Sequence, residues 1–448
     1  MNNKIPGKVI LTCITIFLLT GYNLKGQTTA GTESFTAADS LKLKDIITLV
    51  IKNHPSVKAA EEAINNADAR IGFAKTGYNP QIDVAANFTN LGPVTKLTIP
   101  SFGTFQLYPG NNYSATINYQ QVVYDFGRTR QNIELETENK MIGEQALEQV
   151  KQKMSMYVVN NFYSLDFLQA AIKIKDEQLG TLKEHLDYVE KMMATGSATQ
   201  YQVLSTKVRI STVESQKVDL TAALTAQQAA LNSLLGNDHT IKPVVKNELS
   251  VELPVIPSDS VLSYAFHNRD EVIINEEKTS LAELKYGMVK LQNKPLVSFI
   301  ASGGGKNGYI PNLNKFTPNY VVGLGIRIPV FDGMKNKYNL SQAKSAITSL
   351  SYESEITKRN ISNELYEAEA YMLAAAKKIK QSELQLEQAL KAYSLAETSF
   401  KSGVITNLDL LDANTAVSES RLMLLKSRID YAASVYKLRA VIGERIYQ

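Results

Sequence analysis

Three landmarks recur at one spacing along the chain, and this duplication constrains the fold more than any single value of composition. Asp125 in "QVVYDFGRTRQ" is answered by Asp332 in "PVFDGMKNKYN", Gly196 in "MATGSATQYQVL" by Gly403 in "FKSGVITNLDLL", and Gly236 in "LLGND" by Gly443 in "VIGER". All three pairs lie about 207 residues apart, so one unit is written twice.

Each copy reads as a helix, a pair of strands and a very long helical hairpin. In the first copy a helical pattern is broken near Pro55 and ends at Pro80, where the N–H donor is lost; its counterpart runs from Val261 to Pro295. The segment "QIDVAANFT" then alternates, placing Ile82, Val84, Ala86 and Phe88 on one face and Asp83, Ala85, Asn87 and Thr89 on the other. "NYSATINYQ" repeats the alternation, and the second copy contributes "LVSFIASGG" and "YVVGLGIRI". From Arg128 to Ala194 there is no proline, and a helix of that length reaches about 100 Å at the α-helical rise. The returning helix after Gly403 carries two heptad rows. One holds Leu408, Thr415, Leu422, Ile429 and Tyr436; the other holds Leu411, Ser418, Leu425, Ala432 and Arg439. Small residues in both rows let helices approach closely.

The expected boundaries are a signal peptide over 1–26, a first repeat over 27–236 with its β-hairpin at 81–123, and a linker over 237–260. A second repeat covers 261–443 with its β-hairpin at 296–330, and residues 444–448 form a short tail. Lys4 and Lys8 ahead of the apolar run "VILTCITIFLL" mark the signal peptide, with cleavage expected after Gly26. Cys13, the only cysteine, lies inside that run. Loss of Lys4, Lys8 and Lys25 lowers the formal charge from +4 to +1, which leaves no basic excess to attract nucleic acid. No later stretch approaches about 18 consecutive apolar residues, so any membrane crossing is made by strands. Four strands cannot close a barrel, because an open edge in lipid leaves backbone groups unpaired at several kcal/mol each. A chain that spans in this way must oligomerise.

The short motifs are read as structural. Asp125 with Gly127, and Asp332 with Gly333, mark strand-to-helix junctions: aspartate caps the incoming helix and glycine takes the dihedrals of the joint. "DFG" has no companion kinase elements, and "SGGGKNG" lacks the Lys-Ser/Thr of a phosphate loop. Gly196 and Gly403 end the outgoing helices, each followed by a cap: Thr199 with Gln202, and Thr406 with Asp409. Met154, Met156, Met192 and Met193 read as core packing, and His54, His185, His239 and His267 are too scattered for a metal site. No catalytic constellation is visible, and neither an enzyme nor a cofactor is expected.

The duplicated hairpins, "VYDFG" and "VFDG" at the junctions, "FKSGVITNLDLLDA" at the second tip and the "LLG" and "VIG" endings resemble the TolC family of outer-membrane efflux proteins. The resemblance covers nearly the whole chain after residue 26. It implies a mainly α fold with a small transmembrane β part, in which long helical hairpins build a periplasmic tunnel and four strands per protomer join a trimeric 12-stranded barrel. It further implies a passive exit duct for efflux or type I secretion, located in the outer membrane. The partners would be two further copies of the chain, outer-membrane lipid, a periplasmic adaptor meeting the hairpin tips (Gly196, Thr199, Gln202, Gly403, Thr406) and an inner-membrane transporter. The runner-up is a soluble periplasmic coiled-coil adaptor or scaffold, which needs no lipid-facing strands.

By position from the tip glycine, Asp409 and Asp412 match the aspartates that ring the family's periplasmic entrance. Asp409 also reads as the closing member of the Thr406 capping box, and both roles stand together. Phe400 and Ile405 replace the tyrosine and arginine that tie the closed entrance in the best-known member, while Tyr201 and Gln202 replace a threonine and an aspartate. The closed-state locks must therefore differ. The loops "LGPVTKLTIPSFGTFQLYPGN" and "GGKNGYIPNLNKFTPN" are expected to face the outside of the cell.

Overall fold

The computed structural model describes residues 41–246 and 261–448. The signal peptide, Cys13 and the second half of the linker lie outside the described residues. The first copy comprises α1 (Leu43–Asn53), α2 (Pro55–Lys75), β1 (Gln81–Asn90), β2 (Lys96–Ile99), β3 (Gly103–Gln106), β4 (Asn111–Tyr124), α3 (Arg128–Ala194) and α4 (Gln200–Leu235). The second comprises α5 (Val261–Asn268), α6 (Asp270–Leu291), β5 (Leu296–Lys306), β6 (Thr317–Arg327), α7 (Lys335–Lys401) and α8 (Asn407–Val441). None of these helices is long and apolar enough to cross a membrane.

Pro55 begins α2 at its first turn, where a missing N–H costs nothing, and the His54 side chain accepts from Ser56 N at 3.2 Å. The second copy breaks at the same place without a proline. There Arg269 is extended, held by Glu271 and Glu364 and by a bond to Val441 O.

The sheet order is β1-β4-β5-β6, all antiparallel, so strands from both copies share one sheet and β1 and β6 are its edges. The register carries the alternation across all four strands. Ile82, Tyr119, Ala301 and Val322 form one row, and Val84, Ile117, Gly303 and Tyr320 the next. The opposite face carries Asp83, Asn118, Ser302 and Val321 in one row, where Val321 is the apolar exception, then Ala85, Thr116, Gly304 and Asn319. Asn118 donates to Asp83 at 2.8 Å within that face. The apolar face is bare: Val84, Phe88, Tyr320, Leu324 and Ile326 are all strongly exposed. The loop of the first hairpin carries the small hairpin β2–β3, closed by a Thr98–Thr104 hydroxyl contact.

The long helices pair as α3 with α4 and α7 with α8, and α3 also packs on α8. Leu411, Ser418 and Ala432 of the second heptad row are buried, and Ile429 of the first; Leu408, which opens the first row, is half-exposed. Ser382 and Ser427 meet at 3.0 Å in the buried seam between α7 and α8, where small side chains allow close approach. The described part of the linker is pinned rather than loose. Asn232 and Gln228 of α4 donate to Ile241 O and Pro243 O, and Leu41 bridges to Val245. The tail is clamped as well: Arg445 makes a two-pronged pair with Asp270 at 2.6 and 2.7 Å, and Tyr447 donates to Glu148.

Candidate functional site

The two helical tips are built alike. Met193, Gly196 and Ser197 close α3, with Ser197 N reaching back to Met192 O at 2.8 Å, and Val404 N reaches Ser399 O at 2.9 Å to close α7. The six-to-one bond requires a left-handed residue at the turn, which Gly196 (φ 76°) and Gly403 (φ 71°) supply. Both expected capping boxes are present. Gln202 N donates to Thr199 Oγ1 and Thr199 N to Gln202 Oε1; Asp409 N donates to Thr406 Oγ1 and Thr406 N to Asp409 Oδ2 at 2.9 Å. The Thr406 hydroxyl and then its N–H hold the exposed Asp409 carboxyl below its ordinary pKa.

Behind the tips, Val189, Val203, Phe400 and Leu410 form a buried apolar cluster that Ile405 packs against. Phe400 and Ile405 thus serve as tip core. The polar tie lies beside them. Asn407, 3% exposed at the start of α8, donates from Nδ2 to Gln202 O, Ser205 Oγ and Thr206 Oγ1 at 3.1–3.2 Å. Those three acceptors set the amide orientation, so Asn407 Oδ1 accepts from His185 Nε2 at 2.6 Å. The His185 ring in turn meets Phe400 edge-on at 5.2 Å. This knot joins α3, α4, α7 and α8. Burial pushes the His185 pKa down, partly offset by Asn407 and by Glu397.

Asp412 is exposed and pairs with Arg209 of α4 at 2.5 Å, whereas Tyr201 projects into solvent. Asn407, His185 and Arg209 were not singled out from the sequence for the tip. Asn407 lies in the quoted "TNLDLL", but a buried asparagine at the first position of a helix has no periodic signature.

At the junctions the geometry is richer than one glycine. Two consecutive left-handed residues occur in each copy: Phe126 and Gly127 (φ 57° and 90°), then Gly333 and Met334 (φ 69° and 67°). Glycine takes the second place in one copy and the first in the other. Phe126 and Met334 therefore carry a conformation that costs an L-residue roughly 1–2 kcal/mol. Asp125 accepts from Gly127 N (2.9 Å), Thr129 N (2.7 Å) and the Thr129 hydroxyl (2.5 Å), while Asp332 accepts from Asn336 N at 2.9 Å. Partial burial opposes ionisation of Asp125, but these donors outweigh it and hold its pKa low. The aspartates do cap the incoming helices, from two residues before the formal cap positions.

The model of the family described as "Outer membrane efflux protein" matches residues 46–237 and 288–444, well over half the chain. The chain belongs to the outer membrane efflux protein family. It is thus a transport duct of the outer membrane and not an enzyme, and the soluble-adaptor alternative is set aside. Among curated relatives it is 23% identical over 410 residues to the cation efflux system protein CusC of Escherichia coli O6:H1, covering 89% of this chain and 84% of that protein. It is 22% identical over 346 residues to the alkaline protease secretion protein AprF of Pseudomonas aeruginosa, covering 74% and 70%. The fold matches a crystal structure of CusC with a TM-score of 0.76 at 19% identity over 94% of this chain and 96% of that one. It matches VceC of Vibrio cholerae with a TM-score of 0.73 at 19% identity over 91% and 97%.

Proposed function

We propose that three copies of this outer-membrane efflux protein close one 12-stranded barrel and one helical tunnel, and that the tunnel accepts cargo from an inner-membrane transporter through a periplasmic adaptor. The observation that carries the reading is the four-stranded sheet with two unpaired edges and a bare apolar face. In lipid that face is satisfied, but the edges are satisfied only if β6 of one copy meets β1 of the next. The tips Gly196–Gln202 and Gly403–Thr406 are the adaptor contacts in this reading, and Asp409 and Asp412 line the entrance. Relatives named for cation efflux and for protease secretion support a duct that leaves cargo choice to its pump. Native mass measurement of the detergent-extracted protein tests the assembly: three chains are expected, and a monodisperse monomer would overturn it.

A further inference from the structure

The chain repeats one of its interfaces as well as its elements. Internally, the first copy docks on the second: β4 pairs with β5, and α3 packs along α6. Where this contact meets the junction, Arg128 donates to Leu291 O at 2.9 Å, to Gln292 O at 3.0 Å and to Lys294 O, closing the C-terminus of α6. One turn further, Gln131 lies across α6. Its Nε2 is 3.4 Å from Leu284 O and only 2.9 Å from where a Cβ would stand on Gly287. Gly287 is the seat of the Gln131 side chain.

The reciprocal contact, second copy on first, is missing inside the chain. β6 and β1 are opposite edges, and α7 makes no extended contact with α2. Both halves of it are nonetheless present. Thr129 N and Asn336 N donate to Asp125 and Asp332, and Gln131 N and Tyr338 N donate to Gly127 O and Met334 O, so Tyr338 stands where Gln131 does. His54 and Arg269 each separate their two short helices, and Pro80 and Pro295 each precede a strand. Gly72 therefore stands where Gly287 does, and Ala69 where Leu284 does. A Cβ on Gly72 would meet nothing within 4 Å, and Tyr338 is 67% exposed.

We infer that a second copy of this chain fills the seat: the Tyr338 ring of one protomer lies over Ala69 and Gly72 on α2 of the next. Lys335, the counterpart of Arg128, faces the carbonyls that end α2. The inference rests on the trimer reading and adds which residues meet. Size supports it, since the bulkier tyrosine faces alanine where glutamine faces leucine. Phe73, 79% exposed beside the seat, gains cover in the same step.

The test uses the full chain in outer membranes with Cys13 replaced by serine, carrying Gly72→Cys together with Tyr338→Cys and treated with a short bifunctional maleimide. Denaturing gels should show bands at two and three chain masses that neither single-cysteine variant gives. Gln131→Cys with Gly287→Cys calibrates the reach: it should stay at one chain mass on the gel, lose both free thiols and gain the mass of one linker, where two unbridged thiols would gain two. If the calibrating pair reacts, the test pair stays at one chain mass and native mass still reads three chains, the contact is wrong and the trimer stands. A native mass of one chain overturns the trimer reading and the contact with it.

Discussion

Arg209 and Asp412 belong to different copies of the repeat, yet the guanidinium of one meets the carboxylate of the other at 2.5 Å, joining α4 to α8 close to the helical tips. Exposed ion pairs contribute about 0–1 kcal/mol, so the pair matters less for stability than for charge. It neutralises the carboxylate expected to give the entrance its negative ring, while the Asp409 carboxylate is bonded to Thr406.

The entrance prediction follows from that pairing. In planar bilayers, multivalent cations added on the periplasmic side should obstruct the Arg209→Gln channel more strongly than the unmodified one, because Asp412 is left unpaired. Asp412→Ala should weaken the block without changing the native mass of the assembly. Equal block in all three proteins would place Asp412 away from the lumen.

The tip knot predicts a pH dependence. His185 has a folded pKa below its ordinary 6.5, so the unfolded chain binds the proton more readily. Its contribution is complete above about pH 6.5 and is lost as pH falls from there towards the folded value. Hydrogen exchange of the tip amides, corrected for intrinsic rates, should show protection at pH 7.5 that declines by pH 5.5. His185→Gln should flatten that decline. Asn407→Ala should cost about 1–3 kcal/mol of tip protection, since it strands buried donors and acceptors at once.

The junctions should differ in sensitivity although their sequences match. Asp125 gathers three donors and Asp332 fewer at good distance, so Asp125→Ala should cost about 1–2 kcal/mol and Asp332→Ala less. Urea unfolding of the two variants in detergent gives the comparison; a larger loss for Asp332→Ala would contradict the bonding described.

The hairpin β2–β3 gives an orientation test. An epitope inserted after Phe102, an exposed residue at its turn, should bind antibody on intact cells. Protection of the epitope until the outer membrane is permeabilised would invert the placement of the sheet.

The elements that the sequence revealed are those written in period or in punctuation. The alternation through Ile82, Val84 and Phe88 names a strand face because side chains alternate, and Gly196 and Gly403 mark tips because a left-handed turn favours glycine. What stayed hidden depends on partners distant in the chain. Arg269 breaks a helix only because Glu364 and Val441 O are there to hold it, and Asn407 becomes a knot only when His185 and Thr206 arrive from other helices. Phe126 and Met334 were missed for another reason: a second left-handed residue beside a glycine leaves no mark in the letters.

Conductance tests the central claim, a passive duct through the outer membrane, most directly. Protein extracted from outer membranes and added to one side of a planar bilayer should insert as discrete, stable conductance steps that require neither nucleotide nor an added partner. Membrane-bound protein that gives no steps under applied voltage would contradict the account.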